Sequence, residues 1–116
     1  MTAPLVLFVD IDDTLVRSFG SKRIPMTAMV ERVRRLHAEG AELYSSSSGG
    51  AAHTQASVAE LGLADCFVAW LPKPQVFIDD VRVEAWRTAI QLHPNEVAER
   101  SVGELERLLM ARGVVR

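Results

Sequence analysis

The chain has 116 residues, a formal net charge of −2 and a hydrophobic content of 48%, which is enough apolar material for the core of one domain. This charge gives no basic field that would hold nucleic acid by its phosphates, and a single cysteine excludes an internal disulfide. No apolar run approaches the roughly 20 residues of a membrane span, and the N-terminus lacks the basic region of a signal peptide. We expect a cytoplasmic protein in which residues 1–116 form a single domain.

The first part of the sequence alternates between strand and helix patterns. The continuous apolar run Leu5–Val9 predicts a strand buried on both faces, as in a parallel sheet. Residues 15–24 have no clear period and indicate a loop or a small flap. Apolar residues then recur at helical spacing; Pro25 suits the start of this helix and Gly40 suits its end. The short stretch 41–44 predicts a second strand, which leads into a run of serines.

The second part continues the alternation. It predicts, in order, a helix, three strands and a final helix opened by a Ser-x-x-Glu capping box, at residues 51–61, Cys66–Trp70, Val76–Ile78, Thr88–Leu92 and from Ser101 onward. Strands that alternate with helices favour an α/β domain with a mainly parallel, five-stranded sheet. In such sheets, ligands bind at the carboxyl ends of the strands.

Two of the predicted strands end in carboxylates. Asp10, Asp12 and Asp13 follow the first strand, and Asp79 and Asp80 follow the fourth. Either group alone is more typical of an acidic turn with an Asx cap. Side by side at one sheet edge, however, the charges would repel each other unless a cation offset them. Mg²⁺ characteristically binds one or two carboxylates together with water and phosphate oxygens, so it is the metal that this pattern indicates.

Residues 44–50, YSSSSGG, have the composition of a flexible linker. Their position between a predicted strand and a predicted helix argues instead for a binding loop. Glycine amides at the start of a helix are a favourable place for an anion.

The segment DIDDTL at residues 10–15 resembles the DxDx[TV] signature of the haloacid dehalogenase superfamily, whose members are mostly Mg²⁺-dependent phosphatases. The second motif of that family is a Ser or Thr at the end of the second strand, where the serine run lies. Lys73 and the pair Asp79-Asp80 are similar to its third and fourth motifs. The resemblance spans residues 6–80 and implies a Rossmann-like three-layer sandwich. Neither interval between the motifs has room for a cap domain.

The resemblance also implies residue roles. Asp10 would be the nucleophile that forms an aspartyl-phosphate, and Asp12 the general acid and then the base. Lys73 would pair with Asp10 and the phosphate. Mg²⁺ would be bound by the Asp10 side chain, the Asp12 backbone carbonyl and Asp80, with Asp79 as a second acidic contributor.

The family pattern around the phosphate fits Ser47, Ser48 and Gly49 best, with Ser47 as the phosphate-binding hydroxyl. Because polar residues stand where the family strand is usually apolar, Ser46 is a rival for that role. Thr14 is expected to order the turn after the nucleophile, and we include it among the phosphate-binding residues.

We therefore expect a Mg²⁺-dependent phosphomonoester hydrolase acting on a phosphorylated substrate of unknown identity. Two alternatives stay open: a non-catalytic phosphate- or metal-binding regulatory domain, and a phosphatase specific for nucleic-acid ends or phosphoproteins. A capless site is open, which implies a large substrate or a homo-oligomer whose neighbouring subunit closes it. Arg17, Lys22 and Arg23 in the flap could attract an anionic substrate or merely solubilise the loop, and His53 is a weak candidate for a substrate contact.

Overall fold

The structure is a computed structural model that describes residues 3–86, 90–97 and 99–111. Its regular elements, in chain order, are β1 Val6–Asp10, β2 Val16–Phe19, β3 Lys22–Pro25, α1 Thr27–Ala38, β4 Glu42–Ser47, α2 Ala51–Glu60, β5 Ala69–Pro72, α3 Pro94–Val97 and α4 Val102–Ala111. Strands β1, β4 and β5 form a parallel sheet in that order, and β2 and β3 form an antiparallel hairpin. The α/β class with parallel strands is therefore confirmed.

Helices α1 and α2 are the crossovers that make the sheet parallel, since one follows β1 and its hairpin and the other follows β4. The buried residues of α1 recur every three or four positions, at Met29, Val30, Val33 and Leu36, and they join Leu43 of β4 in the hydrophobic core. The helix ends where Gly40 takes a φ of +95°, a conformation that favours glycine. Helix α1 begins at Thr27, two residues after the predicted start, because Pro25 is the last residue of β3.

The stretch predicted as a loop or a small flap is a β-hairpin. Strands β2 and β3 pair from Val16 opposite Pro25 to Phe19 opposite Lys22. The hairpin is fastened at its base, because Leu15 is fully buried and its carbonyl accepts a hydrogen bond from the Met26 amide at 2.8 Å. It projects next to the carboxyl end of β1.

Strand β4 runs through the serines rather than stopping before them. Ser45 pairs with Val9 on one side and with Trp70 on the other, and Ser45, Ser46 and Ser47 are all buried. The small side chains fit the middle of the sheet, so a segment that resembles a linker in composition is its central strand. Strand β5 begins at Ala69, later than the predicted Cys66–Trp70, since residues Ala64–Cys66 form a 3₁₀ turn.

The predicted fourth strand, Val76–Ile78, is not a strand. Val76 is 77% exposed and Ile78 is 94% exposed. Phe77 packs edge-on against Trp86, with ring centroids 5.2 Å apart, and the Trp86 indole N–H donates to the Val81 carbonyl at 3.2 Å. The contacts of this apolar run are therefore local, and no strand in the described part of the chain pairs with it.

The prediction of a fifth strand at Thr88–Leu92 is also wrong for those of its residues that the structure describes. Thr88 and Ala89 lie outside the described residues, and residues 90–92 are not in a strand, although Ile90 and Leu92 pack against the core. Within the described ranges the parallel sheet has three strands instead of five, and no cap domain is evident. None of the helices in those ranges is long and apolar enough to cross a membrane.

The predicted capping box is confirmed at the start of α4. The Glu104 amide donates to Ser101 Oγ at 3.2 Å, and Ser101 Oγ donates to Glu104 Oε1 at 3.3 Å. Side-chain hydrogen bonds also open α3, in residues 93–96. The His93 amide donates to Glu96 Oε1 at 2.9 Å, the Asn95 amide donates to His93 Nδ1 at 3.2 Å, and Pro94 takes the first helical position.

Candidate active site

A tight turn after β1 carries the first acidic group. The carbonyl of Ile11 accepts hydrogen bonds from the amides of three following residues, Thr14, Leu15 and Val16, while the Ile11 side chain is fully buried. Asp13 takes a φ of +63°, a left-handed conformation that Asp tolerates better than most residues. The turn is therefore anchored in the core, and it holds Asp10 and Asp12 at the edge of the sheet.

Asp10 has one partner on each carboxylate oxygen. Lys73 Nζ lies 2.9 Å from Oδ1, and Thr14 Oγ1 donates to Oδ2 at 3.1 Å. The backbone of Lys73 is fixed as well, because its amide donates to the Ser47 carbonyl at 3.0 Å, directly after the paired part of β5. Lys73 is thus placed on Asp10 by the sheet itself, which is what the resemblance to the third motif implies.

Asp12 contacts three different elements. Its Oδ2 accepts a hydrogen bond from Ser47 Oγ of β4 at 3.2 Å and lies 3.2 Å from His53 Nε2 of α2. Its Oδ1 lies 3.4 Å from His53 Nε2 and 3.7 Å from Arg23 Nη1 of β3. The two carboxylates of the turn therefore have separate surroundings, an ammonium group for Asp10 and a hydroxyl, an imidazole and a guanidinium group for Asp12.

The end of the serine run meets this turn. Ser47 Oγ accepts a hydrogen bond from the Gly49 amide at 3.0 Å while it donates to Asp12. Ser46 lies opposite Asp10 in the strand register, so it is also next to the site, and Ser48 and Gly49 are exposed in the loop that follows. The hydroxyl of Ser45 is buried with no hydrogen-bond partner among the described residues.

The loop and α2 are tied to the sheet by Thr54. The hydroxyl of its fully buried side chain lies 2.9 Å from the carbonyl oxygens of both Gly50 and Leu71 and shares its one proton between them. This fixes the first turn of α2, and with it His53, against β5. The sequence leaves Arg23 open between attracting an anionic substrate and solubilising the loop, and it makes His53 a weak candidate for a substrate contact. The structure places both side chains next to Asp12.

The second acidic group lies apart from the first. Asp79 and Asp80 are exposed, and Asp79 Oδ1 accepts a hydrogen bond from the Val81 amide at 2.8 Å, which makes a local turn. No group of three or more His, Cys, Asp or Glu side chains in the described ranges could hold a metal ion. In the positions seen here, Asp79 and Asp80 are therefore not gathered with Asp10 and Asp12 around a common point.

The protein has one thiol that could compete with Asp10 as a nucleophile. Burial raises the pKa of the Cys66 thiol, which disfavours the reactive thiolate form. Cys66 also lies in the turn before β5 and not at the acidic turn. We therefore do not include it in the site.

Comparisons with known proteins bear on the fold. No protein-family model and no curated protein matches the sequence. Among solved structures, the chain is similar to the crystal structure of a structural-genomics target from Vibrio cholerae, with a TM-score of 0.58 and 22% sequence identity, over 92% of this chain and 98% of that one. At this identity the similarity shows the fold alone, and it supports an α/β architecture shared over nearly the whole chain.

Proposed function

We propose that the protein is a phosphomonoester hydrolase in which Asp10 is the nucleophile and Asp12 the general acid and base. The observation that carries the proposal is the difference between the two carboxylates of one turn. Asp10 is paired with Lys73 at 2.9 Å, and Asp12, two residues on, is hydrogen-bonded by Ser47. Two carboxylates with separate partners at a sheet's carboxyl end suit separate roles in one reaction.

In the first step, an Asp10 carboxylate oxygen attacks phosphorus. The bond from phosphorus to the ester oxygen breaks, and that oxygen takes a proton from Asp12, which gives the free alcohol and an aspartyl-phosphate. Lys73 opposes the repulsion between the anionic nucleophile and the anionic phosphate, because its ammonium group already lies on Asp10.

In the second step, water attacks the phosphorus of the aspartyl-phosphate, and the bond from phosphorus to the Asp10 oxygen breaks. Asp12 accepts the proton of that water, inorganic phosphate leaves, and both carboxyl groups return to their starting forms. The proposed phosphate-binding set is Ser47, Ser48, Gly49 and Thr14. The Ser47 hydroxyl contacts Asp12 in the present arrangement, so it would share its donor between Asp12 and the substrate.

We also propose Mg²⁺ as the cofactor, with Asp80 and Asp79 joining Asp10 and Asp12. This requires residues 76–80 to lie beside β1, whose outer edge carries no strand in the described part of the chain. The same rearrangement would extend the sheet toward the five-stranded, haloacid dehalogenase-like sandwich expected from the sequence. When bound, the metal would offset charge between carboxylate and phosphate.

The experiment that tests the function is phosphate release from a panel of phosphomonoesters, with and without Mg²⁺, by wild type and Asp10→Asn. We expect Asp10→Asn to lower kcat by at least about 10³-fold, as losses of a covalent nucleophile commonly do. Asp13→Asn is the matched control, because Asp13 is exposed on the same turn and Asn also tolerates its left-handed φ of +63°. Its rate should stay within about threefold of wild type. Equal rates for wild type and Asp10→Asn would falsify the proposal.

A non-catalytic phosphate- or metal-binding domain is the second candidate. It is favoured by one observation, namely that both carboxylates are already satisfied by protein partners. Calorimetric binding of inorganic phosphate without turnover of any ester would support it. If turnover is found, competition by oligonucleotides and its salt dependence separate a phosphatase of nucleic-acid ends from one of small molecules or phosphoproteins.

A further inference from the structure

The imidazole of His53 lies on the carboxylate that we assign as the proton donor. His53 Nε2 is 3.2 Å from Asp12 Oδ2 and 3.4 Å from Oδ1. Ser47 Oγ also lies on Oδ2, at 3.2 Å. Oδ2 is therefore held from two elements, β4 and α2, whereas Oδ1 has only the longer approaches of His53 and, at 3.7 Å, of Arg23.

The loop before α2 leaves room for this imidazole. A Cβ atom added at Gly49 would lie 2.8 Å from His53 Cδ2 and 3.0 Å from His53 Cγ. A Cβ atom at 2.8 Å is closer than real Cβ atoms come, so a side chain at residue 49 would force the ring out of its present position beside Asp12. The φ angle of Gly49 is not positive, so the constraint at this position is space for the ring and not backbone conformation.

Arg23, the other cation near Asp12, has its closer contacts elsewhere. Its Nη2 donates to Ser57 Oγ at 2.9 Å, and its Nε lies 3.3 Å from Glu60 Oε1. Both partners are on α2, so Arg23 mainly holds the hairpin against that helix. This leaves Ser47 and His53 as the groups that fix the orientation of the Asp12 carboxylate.

We propose that His53 is a positioning residue for Asp12. Together with Ser47 it holds Oδ2, so that Oδ1 is the oxygen that gives its proton to the leaving group and later takes one from water. The inference rests on the proposed function and adds a residue and an atom to it. A misplacement of about 1 Å at a reacting group is enough to cost roughly 10²-fold in rate, so the loss of one support is measurable.

The positioning role of His53 can be tested with two substrates that differ in their leaving group. A poor leaving group, such as the alkoxide of an alkyl phosphate, needs the proton from Asp12 in the transition state, and general acid catalysis contributes about 10²–10⁴-fold in such cases. The nitrophenolate of p-nitrophenyl phosphate leaves well without a proton. A residue that acts through Asp12 therefore matters for the first substrate and hardly for the second, whereas general damage to the fold affects both.

The experiment compares kcat and KM of wild type, His53→Ala, His53→Gln and Gly49→Ala on glycerol phosphate and p-nitrophenyl phosphate. For His53→Ala we expect kcat to fall by about 30-fold or more on glycerol phosphate and by less than about threefold on p-nitrophenyl phosphate, with KM little changed. Gly49→Ala displaces the same ring and should therefore show the same ratio between the losses on the two substrates. Because Gly49 also belongs to the proposed phosphate-binding set, any further loss in this variant should be equal on both substrates. His53→Gln, whose amide can donate from a similar position, should recover most of the loss.

His37→Ala is the matched control, since His37 is exposed on α1, and it should match wild type on both substrates. An equal loss on the two substrates, a change in KM alone, or no recovery by His53→Gln would overturn the inference. If His53→Ala fails to fold, Gly49→Ala against His53→Gln makes the same comparison. Asp10→Asn distinguishes a failure of this inference from a failure of the proposed function. An unchanged rate in that variant rejects the proposed function itself, whatever the result for His53.

Discussion

The protein contains two acidic groups that look alike in sequence and differ in the structure. Asp10 and Asp12 contact residues distant in the chain, among them Lys73, Ser47 and His53. Among the described residues, Asp79 is hydrogen-bonded by the Val81 amide, two residues further on. The first group is built into the tertiary structure, whereas the second forms a local turn of the kind that an isolated Asx residue makes.

The difference originates in the segments that precede the carboxylates. Strand β1 is paired with β4 along its length, from Val6 opposite Glu42 to Asp10 opposite Ser46. The run before Asp79 has a similar apolar composition, but Ile78 is 94% exposed and the run pairs with no strand. An acidic pair thus becomes a candidate site only when the segment that carries it joins the sheet. We expect the same contrast in function, with larger effects of substitutions at the first acidic group and its partners than at the second.

Among the variants that test this contrast, the largest effect is expected for Lys73, the long-range partner of Asp10. Replacement of Lys73 with Met removes the ammonium group 2.9 Å from the nucleophile, and we expect kcat on p-nitrophenyl phosphate to fall by about 10²–10³-fold, as for other preorganised charges at a reacting centre. Because the side chains of this ion pair are 44% and 36% exposed, its contribution to stability is at most about 1 kcal/mol. Lys22→Met, in the exposed hairpin, is the control and should leave kcat within about threefold. A similar loss in both variants would place the effect outside the Asp10 pair.

A smaller effect should separate the buried serines. Ser47→Ala removes the hydroxyl that donates to Asp12 and accepts from the Gly49 amide, so we expect kcat to fall by about 10–10²-fold and stability by about 1–2 kcal/mol. Ser45→Ala removes a buried hydroxyl without a partner in the described ranges, and it should be neutral or slightly stabilising. Activity and thermal unfolding measure both. If Ser46→Ala is the damaging change and Ser47→Ala is silent, the phosphate-binding role belongs to Ser46.

Much of the fold could be predicted because the relevant information is local. The periodic apolar residues of α1 and the capping box of α4 are visible within a few positions of sequence, and both are present in the structure. The run Val76–Ile78 shows the limit of this reasoning. Its composition predicts a buried strand, but composition contains no information about whether a sheet edge receives it. The sequence also does not predict that β4 extends through Ser47, because the polar residues at its end give no indication that they are buried.

The contacts in the candidate site are also of two kinds, those that the sequence predicts and those that it does not. The residues with a recognisable motif order, Asp10, Asp12, Ser47 and Lys73, are brought together as expected. The contacts of His53 and Arg23 with Asp12 arise from the first turn of α2 and from the pairing of β2 with β3. No spacing in the sequence encodes those contacts, because they depend on how the hairpin and the helix meet above the turn. Gly49 is a sign of these contacts in the sequence, but only the structure shows that its missing side chain leaves space for the His53 ring.

The smallest predicted effect asks whether the second acidic group joins the first when metal is present. If Asp80 contributes to a magnesium site with Asp10, Mg²⁺ at about five times its Kd should stabilise wild type by about 1 kcal/mol, which corresponds to a Tm increase of about 4 °C. Asp80→Asn weakens the site, so its increase should fall below about 1 °C, while Asp13→Asn, with the same change of charge, should keep the wild-type response. The readout is thermal unfolding, which needs no turnover. An absent response in wild type, or an undiminished one in Asp80→Asn, would show that the exposed acidic group stays a local turn, and the contrast between the two groups would then be one of function as well as of structure.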